Sequence, residues 1–124
     1  MILDDNIRKA IDLVRLIQRH RFDLSNEKSM QAQLAEVMTE NKIEFEREKP
    51  LNQRDIPDFM VSGGIAIECK MRGARKMDVF NQLRRYAGHD DVKVLILATN
   101  LSMGLPAEIG GKPSFFASLS RGWM

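Results

Sequence analysis

The chain has 124 residues, of which 44% are hydrophobic and 29% are charged, and its formal net charge at pH 7 is +2. This length and composition predict one globular domain and exclude a chain that is disordered as a whole. The single cysteine excludes a disulfide framework and a thiolate zinc site, and no run reaches the roughly 20 apolar residues of a membrane span. The opening residues MILDDN lack the basic and apolar regions of a signal peptide, so we expect a cytoplasmic protein with no membrane partner.

Two helices are predicted at the start of the chain. Between about residues 5 and 21, Ile7, Ile11, Val14 and Ile17 recur at spacings of three and four, which predicts an amphipathic helix. We expect this helix to pack on a core, and pairing with a second subunit or contact with a nucleic-acid backbone are the alternatives. The segment DLSN follows, and Asn26 can cap a second helix that extends to about residue 41. The apolar stripe of this second helix consists of Met30, Leu34, Val37 and Met38.

One carboxylate of the second helix is expected to face the interior. At about 100° per residue, Glu27 lies on the same side as the apolar stripe, whereas Glu36 is rotated by half a turn and faces solvent. Glu27 is therefore the helix carboxylate expected near an interior site. An acid favoured in the first turn by the helix dipole is the alternative interpretation.

The rest of the chain predicts strands and one further helix. Residues 42–48 alternate as a half-buried strand does, and residues 56–61 and 65–70 predict a hairpin that turns through Gly63 and Gly64. A helix is predicted over 74–88, a strand that is apolar on both faces over 92–99, and a last strand over 113–120. The order indicates an α/β fold with a mixed central sheet of four or five strands flanked by helices.

The domain organisation follows from this order. We expect one domain over residues 1–124, with an N-terminal helical extension over 1–22 and a core over 26–99. A C-terminal loop and a possible edge strand occupy 100–124.

Charged side chains interrupt the second strand of the predicted hairpin. Side chains alternate between the faces of a strand, so Glu68 and Lys70 share one face at about 7 Å from each other. The hairpin can bring Asp58 onto that face, with Glu27 projecting from the helix above. Burial of unpaired charges costs several kcal/mol, so these groups either neutralise one another as a structural cluster or bind a ligand.

Carboxylate oxygens without a His or Cys cluster suit Mg²⁺ or Mn²⁺. Such an ion pairs with Asp58 and Glu68 at once, with help from Glu27, and so removes the objection to their burial. The Lys70 ammonium can hold an attacking water or offset charge in the transition state. Together these groups indicate hydrolysis of a phosphodiester.

Basic residues are concentrated in one segment. Residues 70–85 carry a charge of +5, whereas the remainder of the chain carries −3. This block predicts a surface that contacts phosphates, and a solvated helix face is the alternative. Its basic residues are Lys70, Arg72, Arg75, Lys76, Arg84 and Arg85.

The hairpin residues resemble a known nuclease motif. Pro57-Asp58, nine intervening residues and Glu68-Cys69-Lys70 are similar to the PD-(D/E)xK motif of the restriction-endonuclease-like nuclease superfamily. The order of a Glu-bearing helix, the hairpin, a helix and a strand is similar as well, over residues 26–99. Residues 26–45 resemble the start of archaeal Holliday-junction resolvases and of the small VRR-NUC domains of phages.

The resemblance implies a restriction-endonuclease-like fold and a metal site. It implies that Asp58, Glu68 and Glu27 hold Mg²⁺ or Mn²⁺ together with the backbone carbonyl of Cys69, and that Lys70 is catalytic. Asp55, which can substitute for Asp58 as a ligand, is interpreted as a loop residue.

The third predicted helix carries a further pair. Gln82 and Tyr86 resemble the Gln-x-x-x-Tyr pair of the exonuclease branch of the superfamily, which implies a catalytic role for Gln82 and a DNA contact for Tyr86. Tyr86 also fits the apolar stripe of its helix as an ordinary core residue. His20 and His89, at helix ends, are interpreted as caps or surface groups.

The expected function is that of a metal-dependent endonuclease that cuts branched or structured DNA, for a phage or for recombination and repair, as a homodimer. The alternatives are an exonuclease of the same superfamily and a nuclease-like module that binds nucleic acid without cutting it. The sequence leaves the roles of the N-terminal helix and of Trp123 open.

Overall fold

The computed structural model of the chain describes residues 4–121, so Trp123 lies outside the described residues. Within this range the elements, in chain order, are α1 (Asp5–Arg19), β1 (Arg21–Phe22), α2 (Glu27–Glu40), β2 (Phe45–Arg47), β3 (Phe59–Val61), β4 (Ile65–Lys70), α3 (Lys76–Ala87), β5 (Val94–Thr99), β6 (Glu108–Ile109), β7 (Lys112–Ser118) and β8 (Ser120–Arg121). Every helix and longer strand predicted from periodicity is present, with shorter bounds in several cases.

The central sheet is mixed and has the strand order β2-β3-β4-β5-β7-β6. Strands β2, β3 and β4 form an antiparallel meander, β4, β5 and β7 are parallel, and β6 is antiparallel to β7. The α/β class is therefore confirmed, but the described residues form a central sheet of six strands and not of four or five. The extra strand was missed because β6 has two residues, which are too few to show an alternating pattern.

Helices cover both faces of the sheet. One core lies between the sheet and the helices α1 and α2, and a second core lies between the sheet and α3. Alternation along β4 divides its side chains between them: Ile65, Ile67 and Cys69 lie in the first core, and Ala66 lies in the second. The odd and even positions of β4 therefore separate as predicted, and Glu68 belongs to the α3 side.

Helix α1 packs on β5 and β7, which gives the N-terminal extension a structural role. Its buried residues are Ala10, Leu13, Leu16 and Ile17. Of the predicted stripe, Ile17 is therefore buried, whereas Ile7 and Val14 are only partly buried. The helix ends at Arg19 rather than near residue 21, because the next residues pair with β8 as a short parallel strand. His20 is its C-cap, as predicted, with Nδ1 at 2.9 Å from the carbonyl oxygen of Leu16.

Helix α2 begins and ends as the sequence predicts. The side chain of Asn26 accepts a hydrogen bond from the N–H of Ser29 at 2.8 Å and caps the helix. The predicted stripe is buried, and it consists of Met30, Leu34, Val37 and Met38. Since this stripe belongs to the first core, α2 approaches the sheet from the side opposite α3.

The β3–β4 turn requires its glycines. Gly63 and Gly64 have φ values of +97° and +81°, which L-residues with side chains rarely adopt. The carbonyl of Gly64 accepts hydrogen bonds from the N–H groups of Lys93 and Val94, at 2.7 and 3.2 Å. The turn is therefore joined to the start of β5.

No helix in the described range 4–121 has the length and apolar character needed to cross a membrane.

The turn supports a stability prediction with a matched control. A Cβ at Gly64 would lie 2.9 Å from the carbonyl oxygen of Asp91, whereas Gly111, with nearly the same φ of +80°, has nothing within 4 Å. We expect Gly111→Ala to lose about 1–2 kcal/mol from its backbone conformation alone, and Gly64→Ala to lose more because backbone must move. Denaturant unfolding of both variants measures the difference, and equal losses would contradict the close approach.

Candidate active site

The hairpin register brings two carboxylates together at the end of β4. Phe59 pairs with Ile67, so Asp58 lies beside Glu68. Oδ2 of Asp58 accepts a hydrogen bond from the N–H of Cys69 at 2.7 Å, and the N–H of Asp58 lies 3.4 Å from Oε1 of Glu68. Glu68 is buried with 3% exposure, and Asp58 is partly buried.

Glu68 is surrounded by donors. Its Oε2 lies 3.1 Å from Nζ of Lys70, and its Oε1 accepts a hydrogen bond from the hydroxyl of Tyr86 at 2.9 Å. Lys70 remains partly exposed, with 23% of its side-chain surface accessible. An ammonium group that contacts a buried carboxylate and still reaches solvent can also contact a ligand at this edge of the sheet.

The two carboxylates resist carrying full negative charge together. Burial, then the charge of Glu68 and, more weakly, that of Glu27 raise the pKa of Asp58 to about 7, against the opposing effects of the Cys69 N–H and Lys70. Burial also raises the pKa of Glu68, while Lys70 and Tyr86 lower it. A hard divalent cation would relieve this repulsion, and Oδ1 of Asp58 makes no hydrogen bond within residues 4–121. The oxygen donors therefore fit Mg²⁺ or Mn²⁺ in kind.

Glu27 stands apart from this pair. Its charge raises the pKa of Asp58, so it lies within electrostatic range. However, within residues 4–121 no three His, Cys, Asp or Glu side chains form a group that could hold a metal ion. The structure thus does not group Glu27 with Asp58 and Glu68, and α2 packs on the face of the sheet opposite the one that carries Glu68.

Cys69 contributes its backbone and not its thiol. The thiol is fully buried in the first core, and burial raises its pKa well above the ordinary value, so it stays protonated. In a strand, the N–H and C=O of one residue point toward the same neighbour. Since the N–H of Cys69 bonds to Asp58, its carbonyl is directed to the Asp58 side as well.

The Gln82–Tyr86 pair acts inside the protein. Nε2 of Gln82 donates to the hydroxyl of Tyr86 at 2.8 Å, and that hydroxyl donates to Glu68, with the carbonyl oxygen of Ile56 at 3.2 Å as a second acceptor. Tyr86 is fully buried, so it does not offer the surface for DNA that the resemblance implied. It orients the carboxylate of Glu68 instead.

The basic block divides into two groups. Arg72, Arg75 and Lys76 are exposed at and after the β4–α3 loop, near Lys70. Arg84 and Arg85 lie a further two turns along, in the last turn of α3. The predicted contact of this block with phosphates stays a prediction for both groups.

The sequence predicted Asp55 to be a loop residue, and the structure shows in addition that it is buried at the centre of a hydrogen-bonded cluster. It is buried with 5% exposure and accepts hydrogen bonds from Nε of Arg85 at 3.0 Å, Nε2 of His89 at 2.8 Å and Nδ2 of Asn52 at 3.3 Å. Burial raises its pKa, but the bonds from His89, Arg85 and Asn52 outweigh burial and lower it. His89 is therefore a partner of Asp55 rather than a simple cap, and the cluster fixes the loop that leads to Asp58.

Comparisons of the chain with models of protein families, with curated proteins and with solved structures give no match.

The raised pKa of Asp58 predicts an unusual pH dependence of stability. In the folded protein Asp58 holds its proton up to about pH 7, against 3.8 for the unfolded chain, so its favourable contribution is complete below pH 3.8 and is lost as the pH rises toward 7. Asp58→Asn removes the charge and keeps an acceptor for Cys69. Without metal at pH 8 we expect this variant to be more stable than wild type by roughly 1–3 kcal/mol, after a discount for partial exposure.

Urea unfolding in EDTA at pH 4 and pH 8 measures this effect. The advantage of Asp58→Asn should shrink toward zero at the lower pH, where Asp58 is protonated. Asp90→Asn, an exposed carboxylate in the loop after α3, is the control and should change little at either pH. A wild type that is the more stable protein at pH 8 would contradict carboxylate repulsion.

Proposed function

We propose that the chain is a Mg²⁺- or Mn²⁺-dependent deoxyribonuclease of restriction-endonuclease-like fold that hydrolyses phosphodiester bonds in branched or structured DNA. The observation that supports this most is the convergence of Asp58, Glu68 and Lys70 at the end of β4. Two carboxylates with raised pKa values next to an ammonium group are unfavourable as a structural cluster, because the cluster has one positive charge too few. A divalent cation supplies the missing positive charge and changes the net charge of the three side chains plus the ion from −1 to +1, which suits an anionic phosphodiester.

The fold supports the proposal through its order of elements. Helix α2, the meander of β2, β3 and β4, helix α3 and strand β5 follow one another as in that superfamily. The site lies where the parallel strands β4 and β5 end, which is where ligands bind in many open α/β sheets.

The residues of the site have separate tasks in this proposal. Asp58 and Glu68 would hold the cation, and the carbonyl of Cys69 points to the same side. When bound, the cation supplies charge stabilisation at the phosphate oxygens. Glu27 adds negative potential from α2.

Lys70 and the Tyr86 network act on the reacting groups and on Glu68, respectively. The ammonium of Lys70, at 3.1 Å from Glu68 and partly open to solvent, stabilises charge that develops on the phosphate and attacking water. Tyr86, supported by Gln82, keeps Glu68 in one orientation.

DNA is the proposed partner, bound by contacts to phosphates more than to bases. The exposed residues Arg72, Arg75 and Lys76 follow Lys70 in the β4–α3 loop and at the start of α3. Such contacts position a strand without reading its sequence, which fits recognition of DNA by its shape. A symmetric pair of chains, which would cut two strands, completes the proposal.

An exonuclease is the second candidate, since the Gln82–Tyr86 pair resembles that of the exonuclease branch and bonds directly to Glu68. Cleavage assays on a four-way junction, a flap, a linear duplex and single strands, each with a label at one end, distinguish the two. Discrete internal cuts support the endonuclease, and progressive loss of terminal nucleotides supports the exonuclease. No Mg²⁺-dependent cleavage of any substrate would leave only a binding module.

Calorimetric titration with Mn²⁺ tests the metal site separately from cleavage. We expect wild type to bind the ion and to melt at a higher temperature in its presence, because the ion binds the folded state alone. Asp58→Ala should abolish both effects, whereas Asp90→Ala should retain them. Unchanged affinity in Asp58→Ala would refute the assignment of the ligands.

Lys70→Met separates a catalytic role from a structural one. The substitution keeps much of the length of the side chain and removes its charge. We expect single-turnover cleavage with saturating Mg²⁺ to slow by about a hundredfold or more, with DNA and metal still bound.

If Lys70 serves only as a counter-ion of Glu68, apo stability should instead fall by roughly 3 kcal/mol or more while cleavage stays normal. Lys49→Met, at a surface lysine paired with Glu46, is the control and should leave both measurements unchanged.

A further inference from the structure

We infer that a pocket on the outer side of α3, separate from the carboxylate pair, binds a phosphate group of a nucleic-acid strand. The pocket has a volume of about 420 Å³ and is lined by Arg54, Asn81, Arg84 and Arg85. The inference rests on the proposed function in one respect: the phosphate belongs to the strand that lies at Asp58 and Glu68.

The lining consists of hydrogen-bond donors. Asn81, Arg84 and Arg85 are spaced three and four residues apart on α3, so they share one face of the helix, and Arg54 comes from the loop before Asp58. Guanidinium groups present planar forks of N–H donors that match phosphate oxygens. Neither Arg54 nor Asn81 was assigned a role by the sequence.

One of the arginines is fixed in place. Arg85 donates through Nε to Oδ1 of Asp55 at 3.0 Å, and Asp55 is itself held by His89 and Asn52 in a buried position. This bond uses Nε and not the two terminal nitrogens of the guanidinium. A donor that is oriented before binding loses less conformational entropy when a ligand arrives.

The pocket has an excess of positive charge. Asp55 balances Arg85, but neither Arg54 nor Arg84 forms an ion pair within residues 4–121. The guanidinium of Arg84 lies 5.9 Å from the centre of the Phe80 ring, which holds it near the pocket. Two unbalanced guanidinium groups around one depression repel each other, and a bound anion removes that repulsion.

The position of the pocket indicates that the phosphate belongs to a nucleic-acid strand rather than to a free ion. Asp58 follows Arg54 by four positions, so their Cα atoms lie at most about 14 Å apart. A nucleic-acid strand carries one phosphate per ~3.4 Å of helix axis, so a strand at the carboxylates presents another phosphate to the pocket within a few nucleotides. Arg85, which lines the pocket, directly precedes Tyr86, which donates a hydrogen bond to Glu68. The same turn of α3 therefore contributes to the pocket and to the carboxylate site.

Binding of a labelled DNA duplex in EDTA tests the pocket without cleavage. We expect Arg84→Gln and Arg54→Gln each to weaken binding about five- to tenfold and to reduce the slope of log K against log salt by about one unit. Arg15→Gln, which removes an exposed charge on α1, should change affinity less than twofold. Arg85 is not substituted, because its loss would leave the buried Asp55 carboxylate without its ion-pair partner. Pocket variants that bind like Arg15→Gln overturn the inference.

Four-way junctions in which single phosphates are replaced by uncharged methylphosphonates locate the contact, because the branch point fixes where the protein lies on the DNA. In wild type, one internal position should lose about five- to tenfold in affinity, and this loss should vanish in Arg84→Gln. A loss that appears only when a terminal phosphate is removed also supports a phosphate pocket and assigns it to a strand end. If no phosphate shows a loss that depends on Arg84, or if only free inorganic phosphate competes, the inference is wrong.

The outcome is independent of catalysis. If the arginine variants weaken binding but no substrate is cleaved, the proposed nuclease activity fails and the pocket stands. If DNA is cleaved and the variants bind normally, the pocket fails and the nuclease activity stands.

Discussion

The burial of the Glu68 carboxylate in a central strand is the constraint on which the rest of the site depends. A carboxylate with 3% exposure requires donors on every side, and the protein supplies them from three elements: the Tyr86 hydroxyl from α3, the Lys70 ammonium from β4 and the Asp58 N–H from the residue before β3. The Asp58 side chain then adds a second negative charge to the same place. The hydrogen-bond network around it, together with the raised pKa of Asp58, makes this arrangement compatible with a folded chain.

Strand register decides whether that network forms. The β3–β4 pairing sets Asp58 beside Glu68, and a slip of one residue would turn every β4 side chain to the opposite face. Glu68 would then point into the core formed with α1 and α2, away from the hydroxyl of Tyr86 on α3. The glycine turn and its bonds to the start of β5 hold the register, and the Asp55 cluster holds the loop that arrives from the other direction. The segment from Asp55 to Gly64 is therefore fixed at both ends, by side-chain hydrogen bonds at Asp55 and by backbone hydrogen bonds at Gly64.

Periodicity and local chemistry were sufficient for part of this structure. They predicted α2 with its Asn26 cap, and they predicted the alternation along β4 that sets Glu68 apart from the core. They did not predict the two-residue strands, whose existence depends on partners far along the chain. Nor did they predict the burial of Asp55, because a loop acid carries no pattern and its partners, Arg85 and His89, lie 30 and 34 residues away. The separation of Glu27 from the carboxylate pair likewise depends on which face of the sheet α2 covers. Helix periodicity shows which side of α2 is buried, but it does not show which face of the sheet that side packs against.

The docking of α1 has a consequence for the order of events during synthesis. The helix packs on β5 and β7, and the backbone N–H of Ser118 bonds to Gln18 across 100 residues of sequence. The ribosome makes α1 before β5 and β7, so the surface on which α1 packs does not exist until the strands near residue 118 have emerged. Contacts of such long range close late, since the entropy of closing the intervening loop is lost before they form. The apolar face of α1 therefore stays uncovered while the intervening residues are made, and transiently exposed apolar surface of this kind promotes aggregation.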